Sequence, residues 1–442
     1  MIDTLRSITV RILKKFRRIV RRIRKGIYRR ALRVPWMRFW ARKSQRIGSQ
    51  FRYWLYYKRK AQVDPKVIVF DSFMGRSYSE NPRAVYEYML ADSRFADYTF
   101  IWAFKNPESK QHIPELKRAV IVKYKSRDYY RYCAMAGTWL FNSRALLGLI
   151  RGKNQKYIQT WHGTPLKRIG HDITIEGGNA MNSLREFQDK WIWDAQRYTA
   201  LLSSAPYTSE IYPSCFALDK LKLRHIMQET GSPRNDALVR QRGTDTAAWK
   251  KRLSIPADKK TLLYTPTFRD NQHEIGVGYT YENELDFTAL RQEIGDEYVV
   301  LFRAHYFVAS SFDFAAHKGF VYDVSGVEDI AQLYMAADML ITDYSSVFFD
   351  YMILERPILF YMYDLEKYQN EIRGFYLSLD ELPGQITKTM PELVESIRQA
   401  KNGVTVPREK WDALAKKILP FEDGEASKRV AEMVLNRGTS KC

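Results

Sequence analysis

From residue 67 onward the chain alternates short β-branched and aromatic runs with stretches whose apolar residues recur every three or four positions. Residues 67–70, 98–103, 119–124, 138–142, 157–161 and 198–203 predict strands, and 82–90 and 127–135 predict helices between them. A turn-rich segment from Glu229 to Asp236 follows and predicts a hinge. The alternation then resumes with strands expected at 262–265, 298–302, 320–324, 339–342 and 358–361. Strands separated by helices in this way predict parallel sheets with crossover connections. The expected organisation is an α/β domain over 63–227, a second over 228–442, and a different kind of segment over 1–62.

That first segment carries the charge. Residues 1–60 hold 21 Lys and Arg against one acid, Asp3, whereas the other 382 hold 50 basic against 49 acidic residues, so nearly all of the net +21 lies in one arm. Leu5, Ile8, Ile12, Phe16, Ile23 and Ile27 fall on one face of a predicted helix, with Arg and Lys on the other. After Pro35 come Trp36, Phe39, Trp40, Phe51, Tyr53, Trp54, Tyr56 and Tyr57, interleaved with more cations. No run of about eighteen uncharged apolar residues exists, so no spanning helix is expected, and charges interrupt every candidate signal-peptide core. Rings at headgroup depth and cations at the phosphates suit an anionic membrane surface, each cation contributing roughly 1 kcal/mol. A nucleic-acid arm needs no continuous apolar face, so no nucleic-acid partner is expected. Cys133, Cys215 and Cys442 lie far apart without metal-ligand spacing, which points to a reducing compartment.

Within the body, the stretch from Tyr157 to Gly170 concentrates chemistry. A strand leads through Trp161, His162 and Gly163 to Thr164, a competent N-cap, and Pro165, which fits a first helical position. His162 is therefore expected at the carboxyl end of a strand beside helix amides, where open α/β sheets bind anionic ligands, with Lys167 and Arg168 adding charge. An unperturbed imidazole titrates near about 6.5, which suits a general base. A histidine holding a loop in place is the alternative that local sequence leaves open. Ser345 and Ser346 follow another predicted strand and suit a phosphate, or simply an N-cap.

The segments Gln159-Thr160-Trp161-His162-Gly163-Thr164-Pro165-Leu166-Lys167, Tyr264-Thr265-Pro266-Thr267-Phe268-Arg269, Arg303-Ala304-His305 and Thr342-Asp343-Tyr344-Ser345-Ser346 occur in that order, the last followed by Phe349-Asp350-Tyr351. With Glu80-Asn81-Pro82, Gly231-Ser232-Pro233-Arg234-Asn235-Asp236 and Asp423-Gly424, they make the chain from Val67 to Val430 resemble the CDP-glycerol glycerophosphotransferase family, the teichoic acid primases and polymerases.

The resemblance implies a GT-B fold of two facing Rossmann-like, doubly wound domains. It also implies transfer of a polyol phosphate from CDP-glycerol, or CDP-ribitol, to a hydroxyl of a lipid-linked polyol-phosphate or glycan acceptor, at the cytoplasmic face of the cell membrane. Carried over, His162 and His305 are the catalytic pair, with His162 as base and His305 as phosphate stabiliser. Trp161, Gly163, Thr164, Pro165, Arg234, Pro266, Thr267, Arg303, Ala304, Ser345, Ser346 and Asp350 bind substrate, Asp350 through ribose hydroxyls. No cofactor is firmly implied and dependence on a divalent metal is left open. The family's larger polymerases often carry a further N-terminal domain where this chain has its basic arm, so a primase, a short-chain extender and a polymerase all fit. A nucleotide-sugar glycosyltransferase on the same fold and a non-catalytic polyanion-binding adaptor are the readings from other classes.

Overall fold

Runs of three to six consecutive buried residues build the inner strands of both main sheets, as parallel strands covered on two faces require. The computed structural model describes residues 34–174, 184–267, 273–274, 278–279, 285–304, 312–368, 374–403 and 407–436. The helix expected through Leu5 and Ile27, and His305, lie outside the described residues.

The first sheet comprises β1 (Asp64–Asp71), β2 (Thr99–Phe104), β3 (Val120–Lys123), β4 (Ala136–Phe141), β5 (Lys156–Gln159), β6 (Ala200–Ser203) and β7 (Met227–Glu229). Its order is β3-β2-β1-β4-β5-β6-β7, and every pairing is parallel. β8 (Lys260–Thr265) begins the second sheet, and β9 (His273–Glu274) and β10 (Gly278–Tyr279) form a small antiparallel hairpin. β11 (Tyr298–Phe302), β12 (Val321–Asp323), β13 (Met339–Thr342), β14 (Ile358–Tyr361) and β15 (Gln385–Thr387) complete the second sheet in the order β12-β11-β8-β13-β14-β15, again all parallel. Both are doubly wound sheets whose order reverses beside the first strand, at β1/β4 and at β8/β13. Ligands bind outside the carboxyl ends of strands at such switch points. These are the parallel α/β sheets that the strand pattern predicts, arranged as in the GT-B fold that the resemblance implies.

The chain crosses between the lobes at Pro233–Asn235 and crosses back near Phe421, so that the helix Ala426–Leu435 buries Val430, Ala431 and Val434 with Val85, Tyr86 and Met89 in the first lobe's core. Asp236 accepts from the amides of Ala426 (3.0 Å) and Ser427 (2.8 Å) at that helix's start. At its end the Lys156 ammonium donates to the carbonyls of Met433 and Asn436, both at 2.7 Å. Both caps have the sign that the helix dipole favours.

Among the described residues, 34–61 and Leu146–Ile150 form a separate compact unit. Within it the helix Pro35–Tyr56 starts with its proline at the first turn, where no amide is needed. Trp36, Trp40, Ile47, Phe51 and Trp54 lie along one stripe and are 44% to 67% exposed. No helix among the described residues is long and apolar enough to cross a membrane.

Candidate active site

β5 ends at Gln159, and the next residues turn sharply because Trp161 adopts a left-handed conformation (φ 51°), which is uncommon and strained for so bulky a residue. Its neighbours hold it there. The Gln159 side chain accepts from the Trp161 amide (3.0 Å), the Asn81 amide group donates to the carbonyls of Thr160 (3.0 Å) and Trp161 (3.1 Å), and the indole packs on Trp191 and Phe216. The turn delivers His162 to the end of β4, where Nδ1 lies 2.6 Å from the carbonyl oxygen of Asn142. A carbonyl can only accept, so Nδ1 carries a proton and Nε2 is the basic nitrogen of the neutral ring. Burial, with Arg234 and Arg144 nearby, outweighs the Asn142 hydrogen bond and pushes the imidazole down to about 4, well below the 6.5 of a free histidine. His162 is thus a neutral, oriented base at physiological pH.

The helix expected after Gly163 does not form. Leu166 is instead buried in the core of the second lobe, Lys167 bridges Phe375, Arg168 donates its amide to Gly374 (2.8 Å), and Tyr376 donates its own to Leu166 (2.9 Å). A segment that starts on one lobe is anchored in the other, and this extended pairing replaces the intrahelical bonds. His162 therefore has no helix of its own segment following it. Thr164 meets Ser204 (3.3 Å between hydroxyls), and the Pro165 carbonyl accepts from Tyr207 (2.8 Å), so both serve the first lobe's packing.

The facing lobe contributes from its own strand ends. Pro266 and Thr267 follow β8, Arg303 and Ala304 follow β11, and Ser345 and Ser346 follow β13. Asp343 accepts the amides of Thr267 (2.8 Å) and Tyr344 (2.6 Å), tying the loops at the switch point together. Ser346 does not cap the short helix Val347–Tyr351 through its side chain. Its hydroxyl instead faces Gly163, where a Cβ would stand 3.2 Å away, so only glycine leaves this approach unhindered. Arg303 donates to the Val327 carbonyl (2.5 Å) and has no carboxylate within ion-pair distance among the described residues; the Ala304 amide donates to Ser325 (3.1 Å). Burial lowers the Arg303 guanidinium from its ordinary value.

Arg234 and Asp350 are brought together. The guanidinium forks onto both carboxylate oxygens (2.9 and 2.8 Å), and Asn235 donates to one of them (3.1 Å). Glu80 stands 3.6 Å away and Glu422 accepts from Asn235 (3.2 Å). Burial raises both glutamates to about 8 against the pull of Arg234. The Arg234 amide also donates to the side chain of Asn81 (3.0 Å), so Asn81 staples the His162 turn to the hinge. Further cross-lobe pairs join Arg83 to Asp329 (2.8 Å), and Lys110 and the Tyr78 amide to Glu328.

Asn142, Asn81 and Glu80 touch the site and were left unassigned by the sequence. Asn142 closed a predicted strand and Asn81 and Glu80 lay in a supporting motif, but only the fold puts them against His162 and Arg234.

The family model described as CDP-Glycerol:Poly(glycerophosphate) glycerophosphotransferase matches residues 53–436. The chain is 37% identical over 382 residues to a teichoic acid poly(glycerol phosphate) polymerase of Staphylococcus epidermidis, covering 85% of this chain and 51% of that protein. It thus spans about half the length of that relative. It is 39% identical over 375 residues to a teichoic acid glycerol-phosphate transferase of Staphylococcus aureus, covering 83% of this chain and 92% of the other. A solved structure of the wall teichoic acid polymerase TagF superposes with a TM-score of 0.78 at 34% identity, covering 96% of this chain and 97% of that one.

Proposed function

The chain belongs to the CDP-glycerol:poly(glycerophosphate) glycerophosphotransferase family, and from that premise we propose that it transfers glycerol phosphate from CDP-glycerol to a hydroxyl of a membrane lipid-linked acceptor in teichoic acid synthesis. The observation that carries the proposal is His162, a neutral imidazole with Nδ1 pinned to Asn142 and Nε2 left as base, next to Gly163, which packs against Ser346 of the facing lobe. In this reading Nε2 takes the proton of the acceptor hydroxyl. The oxygen attacks the phosphorus of the glycerol phosphate, a phosphodiester forms, and the bond to CMP breaks. Arg303, which has no carboxylate partner of its own among the described residues, holds the phosphates, and His305, by the family resemblance, adds a further donor. A solved TagF variant soaked with CDPG supports the choice of donor.

Presenting CDP-glycerol, CDP-ribitol and a UDP-sugar with an acceptor analogue, and weighing the product by mass spectrometry, tests this directly. The expected result is gain of one or more glycerophosphoryl units with release of CMP. Gain of a sugar, or no turnover with any donor, overturns the proposal.

The same proposal places the protein peripherally on the cytoplasmic face of the cell membrane. The outward stripe of Trp36, Trp40, Ile47, Phe51 and Trp54, with Lys43 over the Trp40 ring (4.8 Å), supports an interfacial helix, and the cationic arm supports an anionic leaflet. Removing residues 1–60 is expected to abolish co-sedimentation with liposomes containing phosphatidylglycerol while turnover of a soluble acceptor analogue persists. Equal sedimentation with and without the arm would exclude the tether.

A further inference from the structure

Glu80 opens the helix Glu80–Ala91 on the first lobe, and the charges around it, Arg234, Asp350, Asp329 and Arg303, all belong to the second. Three features mark it out from the acids that hold the fold together. Its backbone is left-handed (φ 66°), a conformation that strains a non-glycine residue. Its side chain is 12% exposed, and Oε2 has no hydrogen-bond partner among the described residues. The nearest cation does not satisfy it, because Arg234 directs Nε and a terminal nitrogen at Asp350 and leaves Glu80 at 3.6 Å. A buried oxygen without a hydrogen bond has its lost hydration offset only by the weaker pull of Arg234 at 3.6 Å. The residue is held in place on both sides, by Asn81 against the His162 turn and by Asn81 again against the hinge amide of Arg234.

We infer that Glu80 is the first lobe's substrate-binding residue in the donor pocket, where its free Oε2 hydrogen-bonds a hydroxyl of the bound CDP-polyol. The inference rests on the donor reading above. A hydroxyl is the group that fits: it both donates and accepts, as a carboxyl held in its protonated form does, and burial raises Glu80 to about 8. The ribose and the polyol both carry hydroxyls, and the nucleotide alone separates them.

The test uses the full chain, the variants Glu80→Gly and Glu80→Gln, calorimetric titration with CDP-glycerol and with CMP, and thermal melting. Glycine relieves the left-handed strain and removes the orphan oxygen, so Glu80→Gly is expected to melt no lower than wild type while its affinity for CDP-glycerol falls about tenfold or more. Glu80→Gln keeps a donor and an acceptor and is expected to retain more affinity than the glycine variant. A parallel loss for CMP assigns the ribose hydroxyl; an unchanged CMP affinity assigns the polyol. Unaltered CDP-glycerol affinity in Glu80→Gly, or a melting temperature that drops with the affinity as for a structural acid, overturns the inference. A wild-type protein that binds no CDP-glycerol overturns the donor reading beneath it, which distinguishes the two failures.

Discussion

Replacing His162 by alanine is expected to lower kcat by about a hundredfold to ten-thousandfold, the range that a positioned general base contributes. The pH dependence of the wild type identifies the role. A base works only when neutral, so its contribution is lost as pH falls through its pKa. With the unperturbed value of about 6.5, the neutral fraction at pH 5.5 would be roughly one tenth. With the ring pushed down to about 4, nearly all of it is still neutral there. Wild-type kcat should therefore change little between pH 7.5 and 5.5 and decline only as pH 4 is approached. Asn142 orients the ring through its main chain, so no substitution of that side chain removes the carbonyl, and His162→Gln provides the contrast of a residue that hydrogen-bonds without accepting a proton at this pH. A tenfold fall already at pH 5.5 would show that the ring is not pushed down, and alanine and glutamine variants near the wild-type rate would exclude His162 as the base.

The second large effect concerns stability. Asp350→Ala removes the carboxylate that both arms of Arg234 grip and leaves a guanidinium buried at the lobe junction, with Glu80 too distant for a hydrogen bond. Breaking one side of a buried ion pair costs about 3 to 5 kcal/mol, which for a body of this size lowers the melting temperature by roughly 10 °C. A guanidinium keeps its proton even in a protein interior, so Arg234 does not escape by neutralising. Removing both charges together is the informative control. The double variant Arg234→Met/Asp350→Leu should melt higher than Asp350→Ala alone, since no uncompensated ion remains. A single variant that melts like wild type would show that the pair contributes nothing to holding the hinge. The same geometry bears on the expected ribose contact of Asp350: in the free protein both of its oxygens are already occupied by Arg234 and Asn235.

Strands that carried consecutive apolar residues were legible in the sequence, and residues 298–302, 339–342 and 358–361 are β11, β13 and β14 without adjustment. β7 escaped because Met227, Gln228 and Glu229 form a short edge strand that is only partly covered and has no apolar run to announce it. The expected hinge at 229–236 consequently starts two residues after that strand begins. The helix after Pro165 was wrong for a different reason. Its local grammar was sound, but Leu166 gains more by entering a core made of residues near Phe348 and Tyr368, and Gly374 and Tyr376 supply the backbone bonds. Those partners lie some two hundred positions away, where no window of sequence reaches. The site shows the same division. Ionisable residues at strand ends could be named, whereas the main-chain carbonyl of Asn142 that fixes the His162 ring carries no side-chain signature.

The paired crossings between the lobes set how they can move. Gly231, with φ 74°, lies so close to Phe421 that a Cβ there would stand 2.3 Å from its carbonyl oxygen, and Glu422 accepts from the Ser232 amide (3.1 Å) and from Asn235 (3.2 Å). The outgoing and returning chains are thus fastened side by side, like two knuckles on one pin. A single connector would let the lobes swivel in any direction; two joined connectors resist twisting and leave bending about their common line as the easy motion. For the proposed transferase, bending along that one coordinate would let a spent nucleotide leave and bring the facing strand ends back to the same register.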